Sequence, residues 1–63
     1  MNKELFRITL VNVTDPENPT IMPPFDYLAD SADDARDYAI YMAGTFSLMP
    51  SQVKIGIQHI PFR

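Results

Sequence analysis

Ser31-Ala32-Asp33-Asp34-Ala35-Arg36-Asp37-Tyr38-Ala39-Ile40-Tyr41-Met42-Ala43-Gly44 is a helix with both ends written into it. The Ser31 hydroxyl can accept a hydrogen bond from a backbone N–H of the first turn, and Asp34, three residues on, is a shorter acidic stand-in for the Glu or Gln of a capping box. Gly44 is expected to end the helix. At 3.6 residues per turn, Ala32, Ala35, Tyr38, Ala39, Met42 and Ala43 fall on one side, whereas Asp33, Asp34, Asp37, Ile40 and Tyr41 fall on the other. An apolar side made largely of alanine lets the helix axis come close to whatever it covers.

What it covers is legible on both flanks. On the C-terminal side, a loop over residues 45–51 leads into Gln52-Val53-Lys54-Ile55-Gly56-Ile57-Gln58, where apolar and polar residues alternate strictly. That is the pattern of a strand with one buried face, carrying Val53, Ile55 and Ile57. On the N-terminal side, residues 4–14 form a first strand in which Phe6, Ile8 and Leu10 make a clean apolar set opposite Arg7, Thr9, Val11 and Val13. Asp15-Pro16-Glu17-Asn18-Pro19 reverses the chain. Residues 20–29 then read as extended, but Pro23-Pro24 cannot donate to a ladder, so this second strand must lie at an edge, broken or bulged at the prolines.

The resulting order, β-β-α-β, predicts an α+β fold over residues 1–63 as a single domain. The expected sheet is antiparallel and three-stranded, in the order 2-1-3, with one helix packed on one face. One helix leaves the other face open. That face is expected to show Val11, Val13 and Ile60 beside Arg7, Thr9, Lys54 and Gln58, with Phe62 in the tail available to cover part of it.

Composition narrows the function. Sixty-three residues without a cysteine cannot form a disulfide, and one histidine cannot build a closed structural zinc site. A formal charge of −3 and scattered basic residues disfavour direct nucleic-acid binding. No stretch has the length or hydrophobicity of a signal peptide or a membrane span, so the expected setting is cytoplasmic. His59 lacks a thiol or a glycine-flanked serine to activate, which argues against an enzyme. Asp26, Asp30, Asp33, Asp34 and Asp37 lack the glycine turn and terminal Glu of a calcium loop, and neither a metal nor a cofactor is expected. Asp33 and Asp34 are explained by the helix dipole.

Dipole compensation does not explain Asp37 with Ile40 and Tyr41 on the solvent side of the helix. Carboxylates around a tyrosine and an aliphatic group suit a protein interface that attracts a basic partner. The candidate partner-binding residues are therefore Asp33, Asp37, Ile40 and Tyr41 on the helix, with Arg7, Lys54 and Gln58 on the open sheet face. A free edge on the last strand can also extend a partner's sheet.

The first strand, the proline-touched second strand, the acidic helix Ser-Ala-Asp-Asp-Ala-Arg-Asp-Tyr-Ala over residues 31–39 and the final alternating strand together resemble small phage-encoded host-takeover proteins. The nearest of these in length and element order are the host RNA polymerase inhibitors of short-tailed coliphages. The resemblance covers roughly residues 4–60 as a pattern of elements. It implies a viral inhibitor acting in the host cytoplasm on RNA polymerase or on a defence enzyme. Those inhibitors bind through arginines on their last strand, where this sequence reads Ile57-Gln58-His59-Ile60. Two alternatives stand beside it: an acidic mimic of DNA that blocks a nucleic-acid enzyme, and a structural homo-oligomer, in the simplest case a homodimer, assembled through the open sheet face.

Overall fold

The computed structural model describes residues 3–61. Its elements are β1 (Glu4–Asn12), β2 (Thr20–Ile21), β3 (Phe25–Ala29), α1 (Ala32–Thr45), a 3-10 turn (Pro50–Gln52) and β4 (Val53–Ile60). The fold is α+β. All pairings are antiparallel and all are made to β1, which has β2 and β3 in succession along one edge and β4 along the other. The sheet order is thus the expected 2-1-3, with the second position shared by two short strands.

The division has a local cause. Neither Pro23 nor Pro24 has an N–H to give to β1. Pairing runs through Val11↔Ile21 on one side of them and resumes at Ile8↔Phe25 on the other, so Met22, Pro23 and Pro24 stand against only Thr9 and Leu10. One extra residue makes a bulge and resets which way side chains point. Met22 donates its N–H to the Leu10 carbonyl at 2.9 Å and packs against the core. Past the bulge, Phe25, Tyr27 and Ala29 continue on that same side, while Asp26 and Leu28 face away from the helix.

Phe6, Ile8 and Leu10 project from β1 into the core, with Ile8 and Leu10 fully buried. Burying one such side chain stabilises the fold by about 1.5–3 kcal/mol. Across β4 they meet His59, Ile57 and Ile55 in turn, and Asn12 pairs with Val53. The helix lays Ala35, Ala39 and Ala43 over this surface; these three, one turn apart, are its buried residues. Tyr38 and Met42 flank them, half-buried. Ala32, expected on the buried side, lies at the open end of the first turn and is exposed.

The N-terminus of α1 closes largely as expected. Ser31 Oγ accepts from the Asp34 N–H at 3.2 Å. Asp34 Oδ2 accepts from the Asp30 N–H at 3.1 Å, one residue upstream of the partner that a capping box would use.

The other end corrects the sequence reading. Gly44 does not terminate α1; it is the penultimate helical residue, and its φ is not positive. Ser47 takes the left-handed conformation instead, at φ 64°. The Leu48 N–H donates to the Ala43 carbonyl at 3.0 Å and the Ser47 N–H to the Gly44 carbonyl at 2.9 Å, which is the Schellman pattern. Leu48, brought back over the last turn, packs on the core. Two strand limits also move: β1 stops at Asn12, and β4 runs on to Ile60 before Pro61. Phe62, the expected cover for the open face, lies outside the described residues.

Candidate functional site

The outward side of α1 is set by the alanine stripe beneath it. With Ala39 at the centre of that stripe, Asp37 and Tyr41 each lie about 160° round the axis, so they straddle the line that points straight into solvent. Asp33 precedes Asp37 by one turn on the same ridge. Tyr41 is 66 % exposed. Ile40 is only 36 % exposed and sits on the flank opposite Tyr38. The expected group of four therefore spans about 100° of the helix: Asp37 and Tyr41 straddle the outward line, Asp33 lies one turn before Asp37, and Ile40 lies at one margin, about 60° round from Asp37.

Tyr41 is not isolated. Its ring centroid is 6.1 Å from that of Tyr38, which stacks flat on Tyr27 of β3 at 3.9 Å with 3° between the planes. Phe25 meets Tyr38 edge-on at 6.1 Å. This aromatic ladder climbs from the outer strand β3 over the shoulder of the helix to its exposed crest. It exists because the bulge turns Phe25 and Tyr27 to the helix side, where Tyr38 flanks the alanine stripe. Stacked and edge-on pairs contribute about 0.5–1.5 kcal/mol beyond burial and hold the rings in place.

Charge is unevenly distributed around this surface. Lys3 pairs with Asp30 at 3.2 Å, and Arg7 pairs with Asp26 at 3.0 Å through Nε. The side-chain hydrogen bond to Asp30, then its charge, raises the pKa of the exposed Lys3 ammonium; Asp26 does the same for Arg7. His59 Nε2 lies 2.9 Å from Glu4 Oε1 at the end of the core face, its ring 5.4 Å from Phe6. Among the described residues Asp33 and Asp37 make neither an ion pair nor a side-chain hydrogen bond. The last turn of α1 carries no basic residue. The crest of the helix is accordingly an acidic ridge ending in a tyrosine, with the exposed Arg36 beside it and, among the described residues, no ion pair to Asp33 or Asp37. A guanidinium could lie on the Tyr41 ring and donate to Asp37.

Arg7, Lys54 and Gln58 are elsewhere. They project from the sheet on the side away from the helix, where Gln58 pairs with Arg7 in register and Lys54 with Val11. The candidate residues thus occupy two opposite surfaces. Sequence reading missed the contribution of Tyr27, Tyr38 and Phe25 to the first surface. It also missed Leu5, Leu28 and Ile21 on the second, where Leu28 is 49 % and Ile21 71 % exposed.

Among the described residues, no three His, Asp or Glu side chains converge as they would on a metal ion, no buried side-chain nitrogen or oxygen lacks a hydrogen bond, and no helix is long and apolar enough to cross a membrane. The chain matches no protein family, no curated protein and no solved structure.

Proposed function

We propose that this chain is a small protein-binding module that takes hold of a basic segment of its partner on the crest of α1. The observation that carries the reading is the exposed Tyr41 ring, supported from below by Tyr38 on Tyr27 and bordered by Asp37 and Asp33, which make no ion pair among the described residues although Arg36 lies beside them on the helix. A rigid aromatic group with a polar tip gives contact area at low entropic cost, and the carboxylates raise the rate of encounter with a positive surface. Asp33 and Asp37 steer, Tyr41 anchors, and Ile40 contributes only to a partner that wraps round the flank.

The resemblance in element order extends this to a phage-encoded inhibitor of a host enzyme, with bacterial RNA polymerase the first partner to test. Direct binding of the chain to purified polymerase, compared with an Asp37→Lys, Tyr41→Ala double variant, is the experiment. Both positions are exposed, so the variant is expected to fold as wild type and to lose at least about tenfold in affinity, or ~1.4 kcal/mol. Equal affinity refutes the site; no binding by either protein removes polymerase as the partner. The alternative, an acidic mimic of DNA, predicts a nucleic-acid enzyme whose capture by the chain is competed by duplex DNA and relieved by salt.

A further inference from the structure

The open sheet face, on the side opposite the proposed binding crest, has an order of its own. Residues paired across the strands form rows. Leu5 lies between Leu28 and Ile60 in the first row, and Arg7 between Asp26 and Gln58 in the second. Thr9 faces Gly56 in the third, and Val11 lies between Ile21 and Lys54 in the fourth. Read along β1 the rows are apolar, large and polar, small, apolar.

This sequence of rows is complementary to itself when reversed. A two-fold axis lying in the face, across the strands and between the second and third rows, sets the first row of one copy on the fourth row of the other. It also sets the large polar row on the small one. Because that rotation keeps each strand over its own counterpart, Leu28 meets Ile21, Leu5 meets Val11, Arg7 covers Thr9, and Gln58 covers Gly56. Lys54 lies along Ile60 at the sheet edge, where its stem can pack and its ammonium reach water. The Arg7–Asp26 pair is neutral as a unit, so the two copies do not repel at their centres.

From this we infer that a second copy of the chain packs on the open face, with antiparallel strands and isologous contacts. A three-stranded face about 30 Å long and about 15 Å wide offers roughly 600 Å² of accessible surface per copy, so pairing buries on the order of 1,200 Å², the lower bound for specific interfaces. Gly56 fits this role and no internal one. A Cβ built there meets nothing closer than Thr9 Cβ at 3.8 Å, an ordinary contact, so the fold itself does not require glycine. Glycine inside a strand often marks a close approach from outside.

That property gives a test in which loss of folding cannot imitate loss of association. Gly56→Val adds a β-branched residue that strands favour, so the variant is expected to be at least as stable as wild type while its methyls occupy the space that Gln58 of the second copy would fill. Leu28→Lys places a charge in the apolar contact. Sedimentation of the full chain up to about 100 µM is expected to show wild type as a dimer and both variants at least tenfold weaker in association. The Asp37→Lys, Tyr41→Ala variant is expected to dimerise as wild type does, which separates this inference from the binding function proposed above. A wild-type chain that stays monomeric over this range overturns it, as do variants that associate unchanged. A monomer whose polymerase binding is abolished by Leu28→Lys also overturns it, and assigns the face to the other protein.

Discussion

Replacing Ser47 by glycine should make this protein more stable, although no contact is added. Ser47 stands at φ 64°, where an L side chain crowds its own carbonyl at a cost of roughly 1–2 kcal/mol that glycine avoids. Against this, a glycine gives the unfolded chain more freedom, which opposes folding by about 0.4–1 kcal/mol. The Ser47 hydroxyl makes no intramolecular hydrogen bond among the described residues and the residue is exposed, so nothing else is lost. The difference is a net gain of about 0.8 kcal/mol at the middle of these ranges, and in a domain of this size each kcal/mol raises Tm by about 4–8 °C. Urea and thermal unfolding followed by circular dichroism read it directly. Ser47→Ala, which keeps the strain, is expected to match wild type within about 0.5 kcal/mol. If Ser47→Gly unfolds at or below the wild-type midpoint, the left-handed turn assigned to Ser47 is wrong, and with it the account of how α1 stops.

Two further outcomes follow from the core and the surface. Ile8, fully buried beneath α1, should lose about 0.5–1.5 kcal/mol as Ile8→Val and about 2–5 kcal/mol as Ile8→Ala. A domain of this length has only about 3–5 kcal/mol in reserve, so chemical denaturation should find the alanine variant largely unfolded, and a stable Ile8→Ala contradicts the assigned core. At the surface, the Lys3 pKa is raised in the folded state by Asp30, so while Asp30 is ionised this ion pair contributes below the unfolded lysine value, and its contribution disappears as pH rises through the folded one. NMR titration should show the Lys3 midpoint falling in Asp30→Asn; an unmoved midpoint removes the pair.

Much of this architecture is legible in residue order because period and punctuation agree. Phe6, Ile8 and Leu10 alternate without interruption, as do Val53, Ile55 and Ile57, and each set lands on the helix side. Ser31 starts its helix by one hydroxyl that finds one N–H. What alternation cannot convey is a change of phase. Pro23 and Pro24 announce a break, but whether the chain resumes with the same or the opposite parity depends on how many residues the bulge absorbs. That single residue decides that Tyr27 meets Tyr38 while Leu28 joins Leu5, so both candidate surfaces are only half legible in the sequence. Gly44 misleads for a related reason. Glycine is permitted in the left-handed region without being compelled to enter it, and the position of the turn is settled by Leu48 folding back onto Ala43. The acidic ridge is legible as composition, since Asp33, Asp37 and Tyr41 are spaced by whole turns. The absence of an ion pair at its carboxylates is not, because it depends on Lys3 and Arg7 choosing Asp30 and Asp26 across strands and on Arg36 closing on neither Asp33 nor Asp37.

The pairing of β1 on both edges also sets an order in time. Leu5 needs Leu28 on one side and Ile60 on the other, so a strand made early by the ribosome waits, half-assembled, for one made late. Until then one whole edge of β1 offers its amides and carbonyls to any passing chain. Closing so long a loop is slow compared with winding α1, which places the hazard of misassembly in nascent and truncated forms that end before Val53.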